Sequence, residues 1–187
     1  MYIIKNKVGA LLQVDRQIFG SNDLAILWNI SNRNTLLKTI ERYVKRNILF
    51  RIYKGLYSTV PVEKLDKYLL GCAVAGSFSY VSAESVLIDN GIILQEGHAI
   101  TLFGTKSKNI VIGENRYICR YLNLKYLLNR AGIENRNGYD IATVERAVAD
   151  IEHINSMYIV LKVDGGLSLC DIYSFSGVVL SRDASLP

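Results

Sequence analysis

The sequence predicts an α+β protein with two units, a helical module that ends in a β-hairpin and a mixed α+β domain after it. Apolar residues recur at three- and four-residue steps over residues 32–49, as in an amphipathic helix. After residue 48 the pattern changes to short β-rich runs separated by glycine, which indicates strands and turns. Helical and strand-like segments then alternate after Pro61. We therefore place the units at residues 1–60 and 61–154, with an atypical C-terminal tail at 155–187.

The composition is that of a folded protein without a membrane anchor. Half of the residues are hydrophobic and only two are proline, which argues against disorder. No apolar run is long enough to cross a bilayer, and the N-terminus lacks the pattern of a secretory leader, so we expect a cytoplasmic protein. Cys72, Cys119 and Cys170 are widely spaced, and we interpret them as small buried hydrophobes, not as a disulfide framework or a zinc site.

Positive charge is concentrated in the first third of the chain. Residues 1–60 contain ten Lys and Arg against three Asp and Glu, a net charge of +7, although the whole chain carries only +5. The remainder therefore sums to −2. A basic module attached to a nearly neutral domain is typical of a polyanion-binding protein.

Two helices and an extended segment precede the most basic stretch. We expect the first helix at residues 3–14 and an extended segment at 17–19. The run Gly20-Ser21-Asn22-Asp23 offers caps for a second helix at 23–29, followed by a tight turn at 29–31. The predicted inward residues are Ile4, Val8, Leu11 and Leu12 of the first helix and Leu24, Ala25, Leu27 and Trp28 of the second.

The helix predicted at residues 32–49, capped by Ser31 or Asn32, has one apolar and one polar side. Its apolar stripe comprises Leu36, Leu37, Ile40, Val44 and Ile48, and its polar side carries Asn34, Thr35, Lys38, Arg42 and Lys45. Two short helices joined by a tight turn are the signature of a helix-turn-helix. We expect Asn32, Arg33, Asn34, Thr35 and Lys38 to contact bases and Arg42 and Lys45 to contact phosphates. A surface helix with ordinary solvated charges would show the same pattern.

A hairpin is predicted directly after this helix. Residues 48–53 and 56–60 are β-rich and are separated by Lys54-Gly55, where Gly55 would adopt a positive φ. Arg51 and Lys54 would then flank the helix contact on the DNA backbone or minor groove. This hairpin makes the module a winged helix-turn-helix, although a hairpin with incidental cations remains an alternative.

The second unit reads as short helices and strands. Helices are predicted at residues 62–75, 83–90, 124–131 and 143–154, and strands at 92–94, 99–103, 109–112 and 115–122. Thr143 would cap the last helix, whose Val144, Ala147, Val148 and Ile151 would face inward. The tail is interpreted as a terminal hairpin or as loosely packed chain.

No pattern in the sequence predicts catalysis, so we expect no enzyme, cofactor or metal site. Arg146 and Asp150 are four residues apart and can form an ion pair on one helix. His98 and His153 are too few and too isolated for a metal cluster. Ser79 and Ser82 lack the strand-turn-helix elbow of a serine nucleophile.

Three segments resemble the AbiEi family of antitoxins, the regulatory half of bacterial abortive-infection toxin–antitoxin systems. The first is Arg51-Ile-Tyr-Lys-Gly55-Leu-Tyr57, similar to the ending of that family's wing. The second is Tyr80-Val-Ser82-Ala-Glu84-Ser-Val-Leu87, followed by Gly91. The third is Ile141-Ala142-Thr143-Val-Glu145-Arg146-Ala-Val-Ala-Asp150, similar to the family's Ala-x-x-Glu-Arg-x-x-x-Asp helix.

The resemblance implies a DNA-binding antitoxin that represses its own operon by binding inverted repeats in double-stranded DNA. The partner would be a nucleotidyltransferase-like toxin, often without a stable complex. The antitoxin-domain residues that the resemblance marks are Ser82, Glu84, Glu145, Arg146 and Asp150. The alternative hypothesis is a protein-interaction or enzyme-inhibitor domain with a vestigial winged helix, whose acidic Glu84, Glu145 and Asp150 would meet a cationic partner or hold a metal.

Overall fold

A computed structural model describes residues 7–94 and 99–163, with the backbone alone described over 155–163. Within these ranges the chain is a mixture of helices and strands, which confirms the α+β class. The predicted positions of Ile4, His98 and Cys170 lie outside the described residues.

The first part of the chain contains three helices and a small sheet. The helices are α1 (Lys7–Gln13), α2 (Ser21–Leu27) and α3 (Arg33–Lys45), and the strands are β1 (Ile18–Gly20), β2 (Phe50–Tyr53) and β3 (Leu56–Ser58). The strands form an antiparallel sheet in the order β1-β3-β2. The extended segment and the hairpin were therefore both predicted, and the structure adds that they belong to one sheet.

A buried cluster lies between these three helices and the sheet. Leu24 is fully buried, and Trp28 packs edge to face against Tyr43 with ring centroids 5.3 Å apart, a favourable geometry for aromatic rings. The indole Nε1 donates to the Lys7 carbonyl at 3.1 Å, which holds α1 against α2. The prediction that Leu12 faces inward is wrong, because its side chain is 80% exposed near the end of the short α1.

The second part of the chain contains a six-stranded mixed sheet. A 3₁₀ turn (Val62–Lys64) precedes α4 (Lys67–Ala75), and the remaining helices are α5 (Glu84–Asp89), α6 (Leu124–Leu127) and α7 (Val144–Val163). The strands are β4 (Tyr80–Val81), β5 (Ile100–Gly104), β6 (Lys108–Ile112), β7 (Asn115–Tyr121), β8 (Ile133–Arg136) and β9 (Tyr139–Ala142). Their order is β6-β7-β5-β4-β9-β8, with β5 parallel to β7 and β4 parallel to β9.

Several predicted elements differ from the observed ones. The helix predicted at 62–75 is divided, because the Asp66 carboxylate caps a separate helix by accepting from the Tyr68 and Leu69 amides. Residues 92–94 form no strand, and the helix predicted at 124–131 ends at Leu127. The helix predicted to stop at 154 continues to Val163, so the first part of the proposed tail is helical, while residues 164–187 lie outside the described chain.

The small sheet is shared by two hydrophobic cores. Phe19 and Tyr57 are cross-strand partners that pack into the cluster around Trp28. Ile18 and Leu56, whose side chains lie on the opposite face because strand residues alternate, pack into the larger core around the six-stranded sheet. The helical module is therefore joined to the second part by a buried apolar contact.

Candidate nucleic-acid interface

Helix α3 is fixed by a cap at its start and by one buried side. The Asn32 Oδ1 accepts a hydrogen bond from the Thr35 amide at 3.1 Å, which satisfies one of the free N–H groups at a helix start. The buried residues are Leu36, Thr39, Ile40 and Tyr43. The Thr39 hydroxyl donates to the Thr35 carbonyl at 2.8 Å, which lets a polar residue lie on this side.

The predicted polar side of α3 is exposed to solvent. Exposed positions include Arg33, Asn34, Thr35, Lys38, Arg42 and Lys45, all of the polar residues that the sequence analysis assigned to this helix beyond its cap. The predicted apolar stripe was partly wrong, because Leu37 is 44% exposed whereas Tyr43 is buried. The buried side is therefore centred on Leu36, Ile40 and Tyr43, which turns Leu37 toward the polar side.

One acidic residue interrupts the cations of α3. The Glu41 carboxylate forms an exposed ion pair with Lys45 at 2.8 Å, four residues further along the helix. Hydrogen bonding to Lys45 and its positive charge lower the pKa of Glu41, and the same contacts raise the pKa of Lys45. Both groups are therefore charged at neutral pH, and the Glu41 carboxylate competes with any phosphate for Lys45.

The hairpin that follows α3 is anchored at its turn. Gly55 has a φ of +80°, as expected, and its carbonyl accepts hydrogen bonds from the Ser21 amide at 2.9 Å and from the Ser21 hydroxyl at 3.2 Å. The turn is thus held against the start of α2. Arg51 and Lys54 are both exposed, and neither forms an ion pair with a described residue.

Three residues of the second part that the resemblance marked form one buried network. Asp150, which is 5% exposed, accepts from the Ser82 hydroxyl at 2.8 Å and from the Tyr80 hydroxyl at 2.9 Å. The Arg146 Nε donates to its other carboxylate oxygen at 2.9 Å. This geometry confirms the predicted ion pair of Arg146 and Asp150, and the pair is buried between α7 and β4.

The Arg146 guanidinium also holds the segment between α6 and β8. It donates to the Ala131 carbonyl at 3.0 Å, the Asn129 carbonyl at 3.1 Å and the Tyr126 carbonyl at 3.3 Å. A further N–H donates to the Tyr80 hydroxyl at 3.0 Å. Burial and the nearby Asp150 charge raise the pKa of Tyr80, so its hydroxyl stays protonated and completes the network. Sequence reasoning quoted Tyr80 only as part of a motif and missed this role.

The two remaining marked residues lie apart from the network. Glu84 pairs with Arg120 at 2.8 Å, and its second oxygen, Oε2, is buried without a hydrogen-bond partner among the described residues. Glu145 is exposed, and hydrogen bonds from its own backbone and from Thr143 lower its pKa. The five marked residues therefore do not form one acidic cluster. Within residues 7–94 and 99–163, no group of three or more His, Cys, Asp or Glu is arranged to hold a metal ion.

The turn between β4 and α5 has a strained backbone. Ala83 has φ +56° and ψ −134°, a conformation that non-glycine residues rarely adopt. Ala83 is fully buried, as is the neighbouring Ser82. The Ser82 hydroxyl donates to Asp150 and is not presented to solvent.

An open cleft of about 940 Å³ separates the loop before β1 from α4 and from the β8–β9 turn. Its lining includes Asp15, Lys64 and Asn137. Cys72 also lines the cleft, and burial raises the pKa of its thiol to about 12. The cysteine is therefore a neutral, unreactive group at neutral pH.

In the described part of the chain, no helix combines the length and the apolar character needed to cross a bilayer. Searched against models of protein families, the chain matches none of them, and it matches no curated protein sequence.

Proposed function

We propose that this chain is a sequence-specific DNA-binding regulator whose first 60 residues act as a winged helix-turn-helix. The observation that carries the proposal is the exposed side of α3, where every predicted polar contact residue is accessible while the opposite side is buried. The succession of α2, α3 and the β2–β3 hairpin is the order that such a module requires.

The contact residues fall into two groups. Arg33, Asn34, Thr35 and Lys38 lie in the first half of α3, the part of a recognition helix that contacts base edges. Arg42 and Lys45 in its second half, with Arg51 and Lys54 on the hairpin, contact phosphates. Asn32 has a different role, because its side-chain oxygen Oδ1 caps the helix. Its side-chain NH₂ group can still donate to DNA.

Salt dependence tests the proposal directly. Binding to the DNA upstream of the gene should weaken steeply with ionic strength, because each phosphate contact releases counterions. Arg42→Ala and Lys45→Ala should each reduce the slope of log K against log salt by about one. Arg136→Ala, which removes an exposed cation from the six-stranded sheet, is the matched control and should leave the slope unchanged. Binding that ignores salt and these side chains would contradict the proposal.

Glu41 on α3 supplies a second test, in which the expected change is tighter binding to DNA. Glu41→Gln removes a negative charge from the surface that faces phosphates and frees Lys45 from its ion pair. We expect binding at low salt to tighten by about 3- to 10-fold, and the gain to shrink as salt screens the charge. Weaker binding by this variant would place the DNA on another surface.

We further propose that the regulator is an antitoxin that represses its own operon and counters a nucleotidyltransferase-like toxin. The support is that two of the three segments that resemble AbiEi antitoxins meet in space, since Ser82 of the second binds Asp150 of the third. If the adjacent reading frame is toxic on expression, co-expression of this chain should restore growth. Lys45→Ala should still protect while repressing more weakly, because the antitoxin-domain residues that the resemblance marks all lie in the second part of the chain.

A further inference from the structure

Leu37 is an apolar side chain on the side of α3 that is proposed to face DNA. It is 44% exposed, whereas the adjacent Leu36 is 6% exposed. It lies three residues after Asn34 and four before Glu41, and residues at these spacings share a helix surface. Within α3, which is described from end to end, Leu37 is the only exposed residue without a polar group.

Exposure alone explains nothing about Leu37, because single exposed leucines are common on protein surfaces. Its position is informative, since it shares a helix surface with Asn34, three residues earlier, to which a base contact is assigned. In the major groove, the 5-methyl group of thymine is the apolar feature that distinguishes one base pair from another. A leucine beside a side chain that contacts a base edge is complementary to that methyl group.

We propose that Leu37 contacts the 5-methyl group of a thymine and so sets a preference for thymine at one position of each half-site. The proposal rests on the proposed function, since it needs α3 to enter the major groove. Cytosine carries no methyl group at C5, but 5-methylcytosine presents one in the same place. The contact therefore recognises a methyl group on a pyrimidine and not a hydrogen-bonding pattern.

Replacement of single thymines by deoxyuridine tests this contact at the level of one methyl group. Binding sites are first selected by the wild-type protein from a library of random duplex DNA. Each thymine of the selected site is then replaced in turn by deoxyuridine, and affinity is measured by fluorescence anisotropy at fixed salt. We expect one thymine in each half-site at which the replacement weakens binding by about 3- to 10-fold, the loss expected for one buried methyl group.

The same DNAs are then bound by two variants. Leu37→Ala should bind the unmodified site more weakly by a similar factor and should no longer distinguish thymine from deoxyuridine at that position. Ile26→Ala removes a more exposed apolar side chain, 82% accessible on α2, and should keep the full sensitivity. With cytosine at the sensitive position, methylation at C5 should restore part of the affinity for the wild type only.

The outcomes separate this inference from the function on which it rests. Selected sites that contain no thymine sensitive to the replacement would overturn the role of Leu37 and leave DNA binding intact. Retained sensitivity in Leu37→Ala would assign the methyl contact to another residue. If the wild-type protein selects no site at all, the proposed DNA-binding function fails and the thymine contact fails with it.

Discussion

Removal of the Asp150 carboxylate should strongly destabilise the second part of the chain. Asp150 is 5% exposed, and its carboxylate accepts hydrogen bonds from Ser82, Tyr80 and Arg146. In Asp150→Ala the Arg146 charge stays buried, with 12% of its side chain accessible, and loses its counter-ion. Breaking a buried ion pair in this way costs about 3–5 kcal/mol.

Urea denaturation followed by circular dichroism measures this cost. With a slope near 2 kcal/mol per molar urea, a loss of about 4 kcal/mol lowers the midpoint by roughly 2 M. Glu134→Ala is the matched control, because it breaks a pair with Arg136 in which both side chains are more than half exposed. Exposed pairs contribute about 0–1 kcal/mol, so its midpoint should barely change.

A third variant separates charge from hydrogen bonding. Asp150→Asn keeps an oxygen that can accept from the two hydroxyl groups but loses the negative charge that compensates Arg146. We expect a loss between those of Asp150→Ala and Glu134→Ala. If Asp150→Ala and Glu134→Ala have the same midpoint, the network of Asp150 is not a source of stability and the reasoning is refuted.

The other predictions concern single groups in the described core. Tyr117 has a buried hydroxyl without a hydrogen-bond partner among the described residues. Tyr117→Phe should therefore leave the free energy of unfolding unchanged or raise it by up to about 1 kcal/mol. Tyr80→Phe removes a hydroxyl that bonds to Asp150 and Arg146, so it should lower the free energy of unfolding by about 1.5–3 kcal/mol. Ala83→Gly relieves a backbone strain of about 1–3 kcal/mol and loses one buried methyl group, so it should be neutral or stabilising. Ala147→Gly changes a fully buried helical site without strain to relieve, so it should lower the free energy of unfolding by about 1.5 kcal/mol. Urea midpoints that rank either pair in the other order would contradict these assignments. Alkylation followed by peptide mapping at pH 8 should modify Cys72 at least about tenfold more slowly in the folded protein than in urea, because burial raises its pKa to about 12 and little thiolate forms. Equal rates would show that the thiol is accessible.

The sequence predicted the elements whose patterns are local. The period of apolar residues located α3, and the Lys54-Gly55 pair located the hairpin turn, because a helix and a tight turn are specified by residues close together in the chain. Leu37 was assigned to the buried side of α3 because the spacing of apolar residues fits a buried stripe that includes either Leu37 or Tyr43. The choice of Tyr43 depends on its contact with Trp28, which is a tertiary contact.

The missed elements depend on distant partners. The strands β8 and β9 are short, and β8 is mostly exposed, so no alternation marks it. The position of β8 in the sheet depends on its pairing with β9. The position of β9 depends in turn on its parallel pairing with β4, where Val81 and Ile141 are partners. Of the candidate site, the ion pair on α7 followed from a four-residue spacing. The hydroxyl groups of Tyr80 and Ser82 come from 66 to 70 residues away along the chain, so spacing along the helix could not reveal them.

The sheet that contributes to both cores has a practical consequence for anyone who wishes to isolate the basic module. Cutting the chain at residue 60 would leave Ile18, Ile52 and Leu56 without the side chains that cover them. Such a fragment would expose a hydrophobic patch on its three-stranded sheet and would tend to aggregate. Polar substitutions at these three positions would have to accompany the truncation before a small DNA-binding fragment could be purified without aggregation.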